Sequence, residues 1–146
     1  MTRPLCYIAA PYGAPTPEGV AWNVARAVLL GRLKLWLSTC PIIPHILVPP
    51  LTGSEEGRPE VREQALALGL DLLVAVRNSV GGQICILSRD DGSLSPGVAA
   101  ECEVWGQGCA SLAVTWANLK PLMTHAGLGS EWAALCAPAE DSAHGR

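Results

Sequence analysis

Short, continuous apolar runs alternate along this chain with longer stretches in which apolar residues return every three or four positions. The first run, residues 5–10, stops at Pro11-Tyr12-Gly13 and predicts a buried strand feeding a loop. Beyond that loop Val20, Val24, Ala27, Val28, Leu30, Leu33 and Leu37 predict a helix over residues 18–37, interrupted by Asn23 and Arg26. These two are three apart, so a helix carries them on one face, in early turns near the strand's carboxyl end. Residues 41–46, framed by Pro41 and Pro44, predict a short second strand running into a Pro-rich loop. Val61, Ala65, Leu68, Leu72 and Leu73 then predict a helix over residues 59–78. Val80-Gly81-Gly82 breaks it, residues 83–87 predict a third strand, and Arg89-Asp90-Asp91-Gly92 a turn.

After the turn, Ser95 is a good N-cap and Pro96 a good first helical residue. Val98, Cys102 and Trp105 form the apolar stripe of that helix, and Glu101 sits beside it, three residues after Val98 and four before Trp105. Gly97 has no side chain, so a ligand can approach the free N–H groups of the first turn, where the helix dipole favours an anion. Residues 110–114 predict a fourth strand, and short helices follow over residues 118–125 and 130–135. Continuous apolar strands alternating with helices predict a parallel sheet covered on both faces, with ligands binding outside the carboxyl ends of its strands.

A chain of 146 residues with 49% hydrophobic content predicts one domain with a real core, residues 1–136, and a flexible tail over residues 137–146. The net charge of -3 and the lack of a Lys/Arg cluster argue against nucleic-acid binding. No apolar run reaches membrane-spanning length and no leader pattern precedes the first strand, so a cytoplasmic protein is expected, with no membrane partner. Six scattered cysteines, without a C-x-x-C pair or a histidine at metal spacing, read as reduced core residues, and neither a metal nor a cofactor is expected. The common phosphate-binding and serine-hydrolase motifs are absent. What remains is a carboxylate on an apolar helix, which suits a nucleophile or general base, as in sugar chemistry at an anomeric carbon.

Taken in order, Tyr7-Ile8-Ala9-Ala10-Pro11-Tyr12, Asn23-Val24-Ala25-Arg26-Ala27, Ile43-Pro44-His45, Arg62-Glu63-Gln64 with residues 68–73, and Ser95-x-Gly97-x-x-x-Glu101 resemble the DUF4406 family. That family is similar to the nucleoside 2-deoxyribosyltransferases and the deoxynucleoside 5′-monophosphate N-glycosidases. The resemblance covers roughly residues 5–115. It implies a Rossmann-like or flavodoxin-like α/β fold, a doubly wound, largely parallel sheet of four to five strands with helices on both faces. It also implies cleavage or transfer at the N-glycosidic bond of a nucleotide or nucleoside. Glu101 would be the catalytic nucleophile, Tyr7 or Asp71 the group that orients it, and Ser95, Gly97 and Arg26 the holders of a phosphate. Asn23, Pro11 and His45 would line the substrate pocket, and a homo-oligomer, a dimer or larger, is implied. Serine at position 95, where the transferases carry aspartate, favours a nucleotide and hydrolysis.

The chain departs from the family pattern near the end of its second long helix. Val76-Arg77 stands where a Cys-Asp pair is usual, an extra segment follows over residues 78–82, and Asp71 is two residues from the place of the N-glycosidases' helix aspartate. An active site without that acid would bind a nucleotide without cleaving it, so a non-catalytic binding or sensing module on the same fold is the alternative. Simpler roles also exist for single residues: His45 as a packing histidine, Tyr7 as core, Asp71, Arg62 and Glu63 as surface charges, and Asn23 with Arg26 as an exposed helix face.

Overall fold

The computed structural model describes residues 2–53 and 58–136; the tail expected over residues 137–146 lies outside them. Strand β1 (Leu5–Ala9) lies at the centre of a parallel sheet, between β2 (Cys40–Ile42) and β3 (Gln83–Ile86). Leu5 pairs with Cys40 and Tyr7 with Ile42 on one side, Cys6 with Gln83 and Ala9 with Ile86 on the other. β1 is apolar throughout because both of its faces are covered. Cys6, Ile8 and Ala10 enter a core with Ala27, Leu30, Leu33, Trp116 and Met123, whereas Tyr7 and Ala9 enter a second core with Leu73, Val76, Val98 and Cys102.

Helix α1 (Pro17–Trp36) starts where Thr16 accepts a hydrogen bond from the Gly19 N–H at 3.0 Å, and covers the first face. Its buried side is rotated from the expected one. Asn23 and Arg26 belong to it with Ala27, Leu29, Leu30 and Leu33, while Val24 is half-buried and Leu37 exposed. Helix α3 (Pro59–Arg77) and helix α4 (Pro96–Trp105) cover the second face through Leu73, Val76, Val98 and Cys102. The start of α4 is the expected one: the Ser95 side chain caps it and Pro96 opens it. Helices α5 (Lys120–His125) and α6 (Gly129–Ala134) complete the described chain close to where they were expected.

Two expected elements differ. Residues 41–46 are not one strand: β2 ends at Ile42, and Pro44 opens helix α2 (Pro44–Thr52), with Pro49 and Pro50 inside its last turn. Proline is at home in a first helical position, where its missing N–H had no partner to lose. The fourth strand is reduced to a single parallel bridge between Leu87 and Val114; Cys109–Leu112 forms a 3-10 turn entered through Gly108 at φ 83°. Its small residues, Ala110, Ser111 and Ala113, lack the β-branched bulk that fits a pleated surface. The fold is therefore mixed α/β around three parallel strands among the described residues, an arrangement compatible with a Rossmann-like fold, rather than the four to five strands expected. Among the described residues no helix is long and apolar enough to cross a membrane.

The extra segment over residues 78–82 connects α3 to the amino end of β3, at the opposite end of the sheet from the Ala9 and Ile86 termini. A Cβ at Gly82 would collide with the Val76 carbonyl and come within 2.8 Å of Ser79 Oγ. Gly82→Ala is therefore expected to lower stability by about 1–3 kcal/mol, as forced overpacking does. Urea unfolding measures it, and an unchanged midpoint would show that the turn yields freely.

Candidate active site

A cavity of about 860 Å³ opens beyond the carboxyl ends of β1 and β3, the place a parallel sheet reserves for ligands. Residues 10–13 after β1, residues 87–91 after β3 and the start of α4 line it, together with faces of α1, α2 and α3. The α3 residues involved, Arg62, Ala65, Leu66, Gly69 and Leu70, follow helical spacing and so form one face. Of the expected site residues, Tyr7, Pro11, Asn23, Arg26, His45, Ser95, Gly97 and Glu101 all line this cavity. Asp71 does not: it is exposed. Gly69 is the α3 residue that meets the Tyr7 hydroxyl, and a position two further on is turned about 200° away from it. The segment over residues 78–82 also lies outside the lining.

Glu101 and Tyr7 form the chemical centre. Burial raises the Glu101 carboxyl to about 7, a rise that the hydrogen bond from Tyr7 partly offsets. Burial, and then the charge and hydrogen bond of Glu101, push the Tyr7 phenol far above its ordinary range, so it stays protonated. That phenol also donates to the Gly69 carbonyl at 3.3 Å. One phenolic proton has two acceptors, so its direction follows the charge on Glu101. When Glu101 is ionised the phenol serves the carboxylate. When Glu101 is protonated its own O–H can donate to Tyr7 and the phenol proton satisfies Gly69.

The first turn of α4 forms the adjoining wall. Pro96 has no N–H, the Val98 N–H donates to Ser95 Oγ at 3.3 Å, and the Ala99 N–H donates to the Ser95 carbonyl at 2.9 Å. Among the described residues the Gly97 N–H has no partner, and a Cβ built on Gly97 meets nothing within 4 Å. Packing does not require glycine there, and its absent side chain keeps an unpaired helix amide open to the cavity.

Asn23 and His45 shape the wall after β1. The Asn23 side-chain amide donates to the Tyr12 carbonyl at 3.0 Å and the Gly13 carbonyl at 3.4 Å. His45 Nε2–H donates to the Pro11 carbonyl at 3.0 Å, its ring meets Tyr12 edge-on at 5.2 Å, and burial holds its pKa below the usual histidine value. His45 is thus neutral near pH 7 and clamps the loop that carries Pro11.

Arg26 is placed for a structural task as well. Its Nε and Nη2 donate to the Leu135 carbonyl at 2.9 and 2.8 Å, and Nη1 pairs with Asp90 at 2.8 Å. The guanidinium lies 3.7 Å from the centre of the Trp22 ring and 4.7 Å from that of Trp116. The fork expected to hold a phosphate thus ties α1 to the end of the described chain and to the loop after β3. Asp90, which the sequence showed only as part of a turn, and Gly69, which carries no side chain to signal a role, are the site residues that sequence reasoning missed. Asp90's one sequence signal is its place just after a strand's carboxyl end.

Among the described residues no three His, Cys, Asp or Glu side chains gather as metal ligands. Cys102 and Cys109 are buried together near Glu101, and burial pushes the Cys109 thiol up to about 12, which leaves it a poor nucleophile. No family model, curated protein or solved structure matches this chain.

Proposed function

We propose that the cavity acts on the N-glycosidic bond of a nucleotide or nucleoside, with Glu101 as the nucleophile. The observation that carries this reading is a half-buried carboxyl raised to about 7 by desolvation, hydrogen-bonded to a protonated phenol inside a cavity of ligand size. In the reaction the Glu101 carboxylate bonds to the anomeric carbon while the bond from that carbon to the base nitrogen breaks. The departing base takes its proton from water. Water then attacks the same carbon, or a second base does in a transfer, and the ester to Glu101 is released. The Gly97 amide and the Ser95 hydroxyl, both in the cavity lining, are the donors we assign to a 5′-phosphate. The resemblance to the deoxyribosyltransferase-like family supports the same reading, and with it a homo-oligomer on a doubly wound sheet; the scattered cysteines support a cytoplasmic location.

The exposed position of Asp71 favours a second reading, in which the site binds a nucleotide without cleaving it. Base release from a panel of nucleosides and their 5′-monophosphates, followed by chromatography, separates the two. Release is expected from the parent, at least 100-fold slower from Glu101→Ala, and slower from nucleosides than from monophosphates. Ligands that raise the melting temperature without losing their base would establish the binding module instead.

A further inference from the structure

We infer that Asp90 is a specificity residue that recognises a hydrogen-bond donor on the ligand, a sugar hydroxyl or a base amino group, at the α1 side of the cavity. The inference deepens the nucleotide reading and rests on it. Asp90 lines the cavity with its side chain 55% exposed. One carboxylate oxygen, Oδ1, takes Nη1 of Arg26 at 2.8 Å, and the other takes no hydrogen bond among the described residues. A carboxylate oxygen carries no proton to donate, so that second oxygen can only accept.

The pair is unusually well braced for a group on a loop. Arg26 is buried, stacked on Trp22 and bound twice to the Leu135 carbonyl. Trp116, the second ring near the guanidinium, is fixed by reciprocal indole bonds: Trp116 Nε1 donates to the Trp132 carbonyl at 3.3 Å, and Trp132 Nε1 to the Trp116 carbonyl at 3.0 Å. The turn behind Asp90 is closed as well, by the Arg89 N–H to the Ser93 carbonyl at 2.8 Å and by Asp91 Oδ1, which accepts from the Ser93 N–H and hydroxyl. A carboxylate aimed by its supports loses little freedom when a ligand donor reaches it, and that is how a site discriminates. It also repels a phosphate, so the cavity lining holds two unlike groups: a donor-seeking carboxylate at Asp90 and an anion-seeking amide at Gly97.

Asp90→Asn tests this directly, because its amide oxygen still accepts from Arg26 while the charge is lost. Affinities of parent and variant are measured by calorimetry for deoxynucleoside monophosphates with and without a base amino group, and for their 3′-deoxy analogues. Glu101→Gln is carried in both backgrounds to stop turnover. The expected result is a loss of ten-fold or more for ligands that carry the recognised donor, shrinking to less than two-fold for the analogue that lacks it. If the 3′-deoxy analogue is the indifferent one, the donor is the sugar hydroxyl; if the ligand without an amino group is, the donor is on the base. An unchanged melting temperature shows that the Arg26 contact survives, and Asp90→Glu, which keeps the charge, is expected to retain part of the discrimination. Equal affinities in parent and variant across the panel would overturn the assignment and leave the nucleotide reading standing. A parent that binds no member of the panel would overturn both.

Discussion

Glu101→Gln should stabilise the protein above pH 7 by roughly 3 kcal/mol while abolishing any turnover that depends on the carboxylate. The native carboxyl keeps its proton up to about pH 7 because the cavity wall desolvates its charge, whereas the unfolded chain gives the proton up near the ordinary glutamate value of 4.5. Between those two values the native state binds the extra proton, so this group's contribution to stability falls as pH rises from about 4.5 to 7 and is level above. Glutamine has the same shape and no charge, so the variant lacks that fall. The difference between the two proteins, measured by urea unfolding at pH 4, 6 and 8, should be near zero at the first and largest at the last. Base release by the parent should run the other way, rising through pH 7 as the nucleophile ionises. A stability difference independent of pH would mean that Glu101 titrates as an exposed carboxylate, and the argument for its role as nucleophile would lose its physical basis.

The parts of the site carried by local chemistry were open to reading in the sequence. Ser95 and Pro96 fix the start of α4 by end-capping rules, and helical spacing then sets Glu101 beside the stripe of Val98 and Cys102 without reference to any other part of the chain. The long helices α1 and α3 were legible for the same reason. Helix α2 was not, because Pro44 after Ile42-Ile43 suits the end of a strand as well as the first turn of a helix, and Pro49 and Pro50 speak against a helix. The strand expected over residues 110–114 failed because a short apolar run of small residues has no period to decide it. Asn23 and Arg26 were read as interruptions of an apolar face, since their partners are distant. Arg26 meets Asp90, 64 positions away, and Leu135, 109 positions away. No rule of local spacing reaches that far. Asp71 shows the converse failure: a position matched by counting along the chain can miss by two residues, and on a helix two residues turn a side chain to the opposite face.

Arg26→Ala is expected to cost about 3–5 kcal/mol, a large part of the stability of a domain of this size, and to lower the melting temperature by roughly 10 °C. The ion pair with Asp90 supplies the smaller share. Asp90 is 55% exposed and resolvates when its partner leaves, as surface pairs do, so Asp90→Ala should cost no more than about 1 kcal/mol. The larger share comes from the buried side. Removing the guanidinium takes both donors from the Leu135 carbonyl and empties the space against Trp22 and Trp116. Arg26→Lys keeps the charge near the rings but cannot offer two parallel donors to one carbonyl, so it should fall between the other two. Urea unfolding of the three variants gives the ranking. If Asp90→Ala matched Arg26→Ala, the pair itself would be the stabilising element and the aromatic bracket incidental. In the expected order, Arg26 is the pin that joins α1 to the carboxyl end of α6. With Arg26 committed to that task, the phosphate of the proposed nucleotide is assigned to other groups of the lining, the open amide of Gly97 and the Ser95 hydroxyl.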